Sequence, residues 1–365
     1  MAVINIDTTQ YDAQLNEKEQ RITEQFQRFG VKQLEVFSSE PINYRQRAEF
    51  RVWHDGDDLF HIMFDQQTKD KIRVDTFDPA APLVGEIMQV MIDNLKDCEV
   101  LRRKLFQIDY LSTLSGEILV SLLYHKPLDE HWLTEINALK EKLSSQYKID
   151  FIGRARKQKE KLGDDFVTER LMVNGQELIY QQVENSFTQP NAKVNIKMLE
   201  WAQELCKPLN NDLLELYCGN GNFSIALAGL FNKVLATEIS KSSVHSAQYN
   251  IAQNQVTNLD IIRMSSEEFT QAMKGERTFS RLDGIDLSSY NCQTILVDPP
   301  RAGMDTLTCD LAANYENIIY ISCNPDTLER DLEHLTQTHE VKRFAIFDQF
   351  PYTHHIESGV FLQRK

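Results

Sequence analysis

The second half of the chain carries the feature that most constrains its fold: short apolar runs recur there between helical segments. We predict strands over seven of these runs, at 212–216, 233–237, 260–262, 294–297, 318–321, 341–347 and 359–362. Strands that alternate with helices are typical of an open α/β sheet whose strands are mainly parallel. In such sheets ligands bind beyond the carboxyl ends of the strands. The side chains that follow these runs are therefore the first candidates for a functional site.

The first half of the chain has a different pattern. Helix-like periodicity predicts helices at 9–29, 83–95 and 129–146. Alternating apolar runs separated by turn residues predict strands at 47–54, 59–64, 104–113, 117–125, 149–153 and 178–182. Hairpins with helices on one side indicate an α+β domain. The pattern changes near 184–190, and we assign residues 1–185 and 186–365 to two domains.

Composition narrows the class of protein. The chain has 365 residues, of which 42% are hydrophobic and 25% charged, as in a soluble protein of one large or two ordinary domains. It contains no apolar run of about 18 residues, the length that spans a bilayer. Its start has no basic segment followed by an apolar one, so no secretory signal is visible. We therefore expect a cytoplasmic protein without a membrane partner.

The charge pattern leaves a nucleic-acid partner open. The formal net charge of −15 weighs against phosphate binding, which relies on Lys and Arg. Basic residues nevertheless cluster in the first half, at 45–51, 102–104 and 154–161. A single basic run is as easily a solvated surface, but three of them in one half of the chain favour an anionic partner.

The cysteines give no sign of a metal site. There are six of them, and none forms a C-x-x-C pair. Their spacing suits neither a zinc ribbon nor an iron–sulfur cluster, and in a reducing compartment we expect free thiols. The neighbours His354 and His355 have no further ligand at a suitable spacing, so we expect no bound metal.

A glycine turn follows the first strand of the second half. Gly219 and Gly221 permit positive φ and a close approach of the backbone to a ligand. Glu238 ends the next strand, where an acid typically accepts hydrogen bonds from ribose hydroxyls. Dinucleotide sites, S-adenosylmethionine sites and ordinary strand-to-helix turns share these features. Ser224 stands where a dinucleotide fingerprint requires a third glycine, which counts against a nicotinamide cofactor.

The fourth strand of the second half ends in Val-Asp-Pro-Pro-Arg, at 297–301. Two prolines make a rigid loop that is poor in hydrogen-bond donors and can hold a planar base. Asp298 can accept a hydrogen bond from a cofactor or from that base. Asp-Pro-Pro at this point is typical of methyltransferases that act on planar heterocycles, although a simple turn after a strand would also explain it.

Cys323 follows the next strand, in the run Ile-Ser-Cys-Asn-Pro. Asn324 can cap the helix that Pro325 begins. The partial positive charge of a helix N-terminus favours a thiolate, which suits a nucleophile. A buried structural thiol explains the residue as well, because free cysteine is among the most buried residue types.

Together these motifs resemble the RNA uracil-5-methyltransferase family. The resemblance is carried by Gly-Asn-Gly-Asn-Phe-Ser, Asp-Pro-Pro-Arg, Ser-Cys-Asn-Pro and the segment 348–357. In the first half, the runs YRQRAEFRVWHDGDDLFHIMFDQQTK, KLFQIDYLSTLS and QVENSFTQPN are similar to the bacterial tRNA (uracil-5-)-methyltransferases. The resemblance covers nearly the whole chain. It implies a Rossmann-like, class I S-adenosylmethionine methyltransferase domain preceded by an α+β RNA-binding domain.

The resemblance also implies a reaction. Such enzymes transfer a methyl group from S-adenosyl-L-methionine to C5 of the T-loop uridine at position 54 of tRNA, which gives 5-methyluridine (ribothymidine). A cysteine adds to C6 of a uracil flipped out of its stack, C5 takes the methyl group, and a base removes the C5 proton so that the thiol can leave. We expect tRNA as the partner, through its T-arm, with tmRNA as a second candidate and no obligate protein partner.

Residue roles follow by matching motifs. Cys323 corresponds to the nucleophile and Glu357 to the base, although Glu357 alone would read as a strand-edge carboxylate. The resemblance assigns the cofactor site to Gln189, Tyr217, Asn222, Glu238 and Asp298. It assigns RNA or substrate contacts to Arg45, Arg47, Arg51, Phe106, His125 and Arg301, with positioning or RNA contact for the two histidines. Phe106 could equally be a core aromatic, Arg301 a helix-end ion pair, and Gln189 a contact of the uracil edge.

Two departures from the related ribosomal-RNA enzymes favour the tRNA branch. The first half contains only Cys98, so we expect no iron–sulfur cluster, and it opens with a helix rather than a small β-barrel RNA-binding domain. Other functions remain open. They are a nicotinamide-dependent oxidoreductase, a DNA amino-methyltransferase, a uracil methyltransferase acting on tmRNA or rRNA, and a non-catalytic RNA-binding or chaperone protein.

Overall fold

The computed structural model describes residues 5–65 and 68–365, so residues 1–4, 66 and 67 of the first predicted domain lie outside the described range. The chain divides into two compact units. The first comprises Met1–Thr9, Glu40–Arg170 and Gln182–Ala192, and the second comprises Gln10–Ser39, Leu171–Gln181 and Lys193–Lys365. No helix among the described residues has the length and hydropathy that a membrane span requires.

The first unit is an α+β fold around a seven-stranded sheet. Across the sheet, the strands are β4 (Lys71–Val74), β3 (Asp58–Phe64), β2 (Arg47–Asp55), β5 (Leu105–Ser112), β6 (Glu117–Tyr124), β7 (Lys148–Ala155) and β8 (Gln158–Leu162). Its helices are α2 (Pro82–Leu95), α3 (Glu99–Arg102) and α4 (Glu130–Ser144). Neighbouring strands are antiparallel except β6 and β7, which α4 connects. The two predicted hairpins and the two long helices are confirmed.

The alternation of residues along β2 separates the two faces of this sheet. Phe50 belongs to a core cluster that also contains Ile87 of α2 and Trp132 of α4. Arg51 and Trp53 point to the opposite face and are exposed. One face of the sheet is therefore packed under helices, while the other presents basic and aromatic side chains along β2.

The second unit is an eight-stranded sheet with helices. Across the sheet, the strands are β1 (Leu34–Phe37), β16 (His339–Phe347), β17 (Glu357–Arg364), β15 (Asn317–Ser322), β14 (Cys292–Val297), β11 (Asp212–Leu216), β12 (Val234–Glu238) and β13 (Leu259–Arg263). Its helices are α1 (Tyr11–Phe26), α5 (Ala192–Cys206), α6 (Asn222–Leu227), α7 (Lys241–Gln253), α8 (Ser266–Met273), α9 (Thr306–Ala312) and α10 (Pro325–Leu335). The α/β class and all seven predicted strands are confirmed.

The order of the strands fixes where a ligand can bind. The chain runs from β11 outward to β12 and β13, then returns to β14 on the other side of β11 and continues to β15. Such a reversal is a topological switch point, and open α/β sheets bind ligands outside it, at the carboxyl ends of the strands. The last strand, β17, is antiparallel to both of its neighbours, so the sheet is mixed rather than wholly parallel.

The compact units differ from the two contiguous domains predicted from the sequence. Helix α1 and strand β1 belong to the second unit, although they lie between two segments of the first unit in the chain. Ile22 and Phe26 of α1 lie in the apolar cluster of the second sheet, and β1 pairs in parallel with β16. The burial of these apolar side chains stabilises the packing of residues 10–39 against the sheet formed by the C-terminal half of the chain.

Strands β9 (Phe166–Val173) and β10 (Gln176–Val183) form a separate two-stranded ladder. The chain passes from one unit to the other within these strands, since 171–181 belong to the second unit and the residues on either side to the first. The boundary near 185 therefore lies a few residues beyond a structural crossing. The assignment of one function to each predicted domain stays a prediction.

Candidate active site

Cys323 lies directly after β15, at the carboxyl edge of the second sheet. Every residue of β15 is buried, because the strand is apolar and lies between β14 and β17. The side chain of Asn324 accepts a hydrogen bond from the backbone of Asp326 at 3.2 Å, and Pro325 opens α10. The predicted strand, cap and helix start are all present. They leave the thiol half-buried at the turn.

Glu357 is brought to the same edge by the antiparallel strand β17. The ladder between β15 and β17 pairs Ile321 with Gly359 and Ser322 with Ser358. Continued by one residue, this register sets Cys323 opposite Glu357. The carboxyl of Glu357 is almost fully buried, at 4% exposure. A thiol and a carboxyl 34 residues apart in sequence thus become neighbours through strand pairing.

The electrostatics of this edge differ from the expectation for Cys323. Burial raises the pKa of the Cys323 thiol to about 11, and the negative charges of Glu357 and Asp298 add to the rise. The nearby Arg301 opposes it. The pKa of the thiol is thus shifted in the direction opposite to the one that a helix N-terminus favours, with burial as the largest cause, and the role of Cys323 as a nucleophile stays a prediction.

The two carboxyl groups disfavour each other's ionisation. Burial raises the pKa of Asp298 to about 7. Burial, and after it the charge of Asp298, raises the pKa of Glu357 well above its usual range. No hydrogen bond from another described residue offsets either shift. Both carboxyls are therefore harder to ionise at this edge of the sheet than they would be in water.

The Asp-Pro-Pro-Arg loop after β14 joins these groups together. The carbonyl of Arg301 accepts hydrogen bonds from the Asn324 side chain at 2.9 Å and from the Thr327 hydroxyl at 3.2 Å. The guanidinium of Arg301 approaches Nδ1 of His355 at 3.5 Å, two residues before Glu357. This loop is thereby fixed to the start of α10. The positive charge of Arg301 also lowers the pKa of the Cys323 thiol, against the effect of burial.

The glycine loop after β11 has the conformation that the sequence predicts. Gly219 and Gly221 have φ of +56° and +84°, a region that favours glycine. A Cβ built on Gly219 would meet no atom within 4 Å, so open space lies beside the backbone there. Glu238, at the end of β12, accepts hydrogen bonds from the backbone of Gly219 at 3.0 Å and of Ser240 at 2.7 Å. Each oxygen keeps a further lone pair for a ligand.

The remaining residues assigned to the cofactor are held by the protein itself. The amide of Asn222 pairs reciprocally with that of Asn195, with both hydrogen bonds at 2.9 Å. The Tyr217 hydroxyl accepts a hydrogen bond from Ser266 at 2.7 Å, and its backbone φ is +62°. Gln189 lies in the loop after β10, within the first compact unit. Their contacts with a cofactor stay predictions.

Two residues that the sequence argument passed over lie beside the glycine loop. Glu215 of β11 is buried, its carboxyl accepts a hydrogen bond from Ser224, and burial raises its pKa to about 8. Ser224 therefore has a specific partner at the position where a dinucleotide site has glycine. Ile239 is 62% exposed directly after Glu238. An isoleucine directly after the acidic residue that ends the second strand is visible in the sequence, and its exposure makes it a candidate contact for a ligand.

Three of the residues assigned to RNA, Arg51, Phe106 and His125, form one stack on the first sheet. The rings of Phe106 and His125 lie parallel with centroids 3.8 Å apart, and the guanidinium of Arg51 is 5.3 Å from the Phe106 ring. The ladder between β5 and β6 shifts register between Leu105 and Gln107, so Phe106 is the extra residue of a β-bulge. Bulges re-aim side chains, and this one turns Phe106 out of the core. The core-aromatic interpretation of Phe106 is wrong.

Further aromatic residues are exposed in the first unit. Trp53 is 40% exposed, with the Lys71 ammonium 3.5 Å from its ring, and Phe187 is 74% exposed in the loop that carries Gln189. Aromatic side chains with adjacent cations suit stacking on bases. Sequence reasoning did not select Trp53, since an aromatic in a strand usually belongs to a core, nor Phe187, which lies in the loop between β10 and α5. Among residues 5–65 and 68–365, no group of three or more His, Cys, Asp or Glu is arranged to hold a metal ion.

Comparison with known proteins identifies the family. The family model for tRNA (Uracil-5-)-methyltransferase matches residues 10–365. The chain is 91% identical over 365 residues to the tRNA/tmRNA (uracil-C(5))-methyltransferase of Pseudoalteromonas translucida, and the match covers 100% of both chains. A protein of that name from Shewanella amazonensis is 62% identical over 360 residues, covering 99% of each.

A solved structure has the same fold. It is the tRNA (uracil-54, C5)-methyltransferase of Pyrococcus abyssi in complex with S-adenosyl-L-homocysteine, with a TM-score of 0.70 and 20% identity. The similarity covers 96% of this chain and 83% of that one. With the full-length sequence matches and the site at the switch point, it leads to one conclusion: the chain belongs to the tRNA (uracil-5-)-methyltransferase family.

Proposed function

We propose that this chain methylates C5 of the T-loop uridine at position 54 of tRNA through a covalent adduct of Cys323. Membership of the family makes the chain an S-adenosylmethionine-dependent tRNA uracil-C5 methyltransferase. The position of the uridine and the roles of individual residues are our inference. The observation that carries it is the strand register that sets Cys323 opposite Glu357, beside Asp298.

Addition of Cys323 makes C5 of uracil nucleophilic enough to accept a methyl group. C5 of uracil is a weak nucleophile, and addition of a thiolate to C6 gives an enolate in which C5 carries the negative charge. The raised pKa of Cys323 means that the thiol starts protonated, so it passes its proton to solvent as the thiolate adds to C6. A buried thiolate, once formed, is a strong nucleophile because water does not solvate it. Arg301 favours the thiolate, and it can also stabilise the enolate.

Glu357 has the properties of the base that ends the reaction. After C5 is methylated, its remaining proton must leave before the thiol is eliminated. A carboxylate with a raised pKa accepts such a proton more readily than one in water. Burial raises the pKa of Glu357, and Asp298 adds to the rise. The strand pairing brings Glu357 near the turn that carries Cys323, so the base and the thiol can act on the adjacent carbons C5 and C6 of one ring.

The methyl donor fits the glycine-loop side of the switch point. S-adenosylmethionine supplies an electrophilic methyl group when bound. The open space at Gly219 admits a ligand close to the backbone, and Glu238 keeps lone pairs for ribose hydroxyls. Ile239 offers an exposed apolar surface next to Glu238, as a purine ring requires. Asp298 lies between this region and the thiol and can orient either ligand.

The first unit supports RNA as the substrate. Arg51, Phe106 and His125 form a continuous stack of one cation and two rings at the surface. Bases exposed in RNA loops stack on such rings. A uracil that reaches a thiol at a sheet edge must leave its helix or loop stack, and side chains that stack on the remaining bases offset that loss. The proposed partner is therefore a structured RNA loop rather than a free nucleoside.

A second RNA substrate is consistent with the relatives. The most similar relatives described above are named tRNA/tmRNA (uracil-C(5))-methyltransferases. We propose tmRNA, which resembles tRNA in part, as an alternative substrate of the same site. The two RNAs would share the T-loop element, and the chemistry at Cys323 would be the same.

The decisive experiment maps the methyl group. The protein is incubated with unmodified tRNA and labelled S-adenosylmethionine, and the modified nucleotide is located by digestion and mass spectrometry. We expect 5-methyluridine at position 54 alone, and a loss of about 10⁴-fold or more with Cys323→Ala. Methylation at another nucleotide, or a Cys323→Ala variant with full activity, would overturn the proposal. Replacing tRNA by tmRNA tests the second substrate.

A further inference from the structure

Helix α1 has two faces that do different things. Its apolar residues Ile22 and Phe26 lie in the core of the second unit, and the Phe26 ring packs 4.8 Å from that of Phe344 in β16. Its polar residues at positions 11, 14, 18 and 21 follow the spacing of one helix face. These four contact the segment 348–354, which links β16 to Glu357. We refer to them as the polar face of α1.

A buried ion pair lies at the centre of this contact. The ammonium of Lys18 is 2.7 Å from the carboxylate of Asp348, and the two side chains are 8% and 0% exposed. Lys18 also donates to the carbonyl of Phe350 at 2.8 Å. The other carboxylate oxygen of Asp348 accepts from Tyr11 at 3.0 Å and from Gln14 at 2.9 Å. Asp348 is therefore fully satisfied by one helix face.

The contacts continue along the segment toward Glu357. The side-chain oxygen of Gln14 accepts from the backbone of Tyr352 at 3.1 Å, and Arg21 donates to the carbonyl of His354 at 3.3 Å. Every second residue from 348 to 354 is thus attached to α1. Glu357 follows three residues later, so the helix fixes the path along which the chain enters β17.

Cys323 is supported separately. Its turn is fixed by β15, by the cap of α10 and by the carbonyl of Arg301. Helix α1 contacts α10 through its last turn, where Gln25 reaches Asp326 at 3.3 Å and Glu329 at 2.9 Å. Arg28, just after the helix, reaches Glu329 at 2.8 Å. The polar face of α1 and the last turn of the same helix therefore act on different groups.

We propose that the polar face of α1 positions Glu357, and that it controls removal of the C5 proton but not addition of Cys323. The inference rests on the proposed role of Glu357 as the base. Loss of the attachment lets the segment 348–356 shift, and a displaced carboxylate transfers a proton poorly. Addition and methylation continue, because the turn of Cys323 keeps its own supports. Lys18, Gln14 and Asp348 are positioning residues, distant in sequence from the base that they serve.

The test separates the two halves of the reaction. Lys18→Met, Gln14→Ala and Lys18→Arg are incubated with tRNA and labelled S-adenosylmethionine, and covalent protein–tRNA adduct is measured on a denaturing gel beside released 5-methyluridine. We expect Lys18→Met and Gln14→Ala to accumulate adduct while release falls on the order of 10- to 100-fold. Lys18→Arg keeps the charge and restores release. Gln20→Ala removes a side-chain hydrogen bond to Glu24 on the exposed side of the same helix, so it is the matched control and behaves as the unaltered protein.

Gln14→Ala removes two hydrogen bonds without leaving a buried charge unpaired, so it decides the question if Lys18→Met fails to fold. Adduct formation and release that fall together in a folded Gln14→Ala protein would overturn the proposal, and so would release equal to that of the unaltered protein. If the unaltered protein forms no 5-methyluridine, the proposed function itself fails.

Discussion

The polar side chains on the two sides of the switch point differ in whether the protein supplies them with hydrogen bonds. Around the glycine loop, Glu238, Asn222 and Glu215 all take part in hydrogen bonds with the protein. Around Cys323, no hydrogen bond from the part of the chain that the structure describes offsets the raised pKa values of Asp298 and Glu357. The first arrangement holds a backbone shape that suits ligand binding. The second leaves two carboxyls that are costly to ionise, a property that is common in active sites.

The sharpest way to break this comparison is Glu357→Gln. We expect turnover to fall by about 10²- to 10⁴-fold, because the C5 proton loses its acceptor, while methylated adduct accumulates. The amount of adduct on a denaturing gel measures this. The double variant Cys323→Ala/Glu357→Gln is the control and forms none. A single variant that turns over without adduct would remove Glu357 from the role of base.

The same variant has a stability signature with a definite sign. The pKa of Glu357 is raised in the folded protein, so this group's contribution to stability is fully present below its unfolded value, near 4.5, and is lost as pH rises through the folded value. Glutamine carries no such dependence. The free energy of unfolding of Glu357→Gln should therefore exceed that of the unaltered protein at pH 8 and approach it at pH 4, as denaturant titrations would show.

A substitution beside the glycine loop should lower the stability of the protein, whereas Glu357→Gln raises it at pH 8. Asn222→Ala leaves the buried amide of Asn195 without its partner, which costs about 1–3 kcal/mol of stability. Thermal unfolding measures the loss. The double variant Asn195→Ala/Asn222→Ala should lose less than the sum of the two single variants, since no amide is left unpaired. An unchanged melting temperature with a much weaker affinity for S-adenosylmethionine would instead make Asn222 a cofactor contact.

Local signals made much of this molecule predictable. Apolar strands, the glycine turn and the cap at Asn324 are encoded by neighbouring residues, so they appear where the sequence predicts them. What the sequence could not give is pairing over long distances. The antiparallel direction of β17, which sets Glu357 opposite Cys323, depends on which strands lie side by side. So does the attachment of residues 10–39 to the second unit.

Other differences have local causes. Strands β4 and β8 read Lys-Ile-Arg-Val and Gln-Lys-Glu-Lys-Leu, and they lie at the two edges of the first sheet, where charged residues are normal and apolar alternation is weak. The raised pKa of Cys323 differs from the sequence-based expectation for a non-local reason. A helix N-terminus is visible in the sequence, whereas the burial and the two carboxyls that outweigh it are brought there by three separate strands.

The smallest predicted effect is a change in the pKa of Cys323, which tests how strongly the carboxyl of Glu357 acts on the thiol. Alkylation of Cys323 by iodoacetamide follows the thiolate, so its rate should rise with pH toward a midpoint near 11 in the unaltered protein. In Glu357→Gln one negative charge is gone and the midpoint should fall. It should nevertheless stay above the ordinary thiol value of 9.0, because burial is the larger cause and the substitution leaves burial in place. Mass spectrometry of the Cys323 peptide distinguishes this thiol from the five others. A midpoint that does not move would mean that the carboxyl of Glu357 does not act on the thiol, and the two sides of the switch point would then differ less than the raised pKa values indicate.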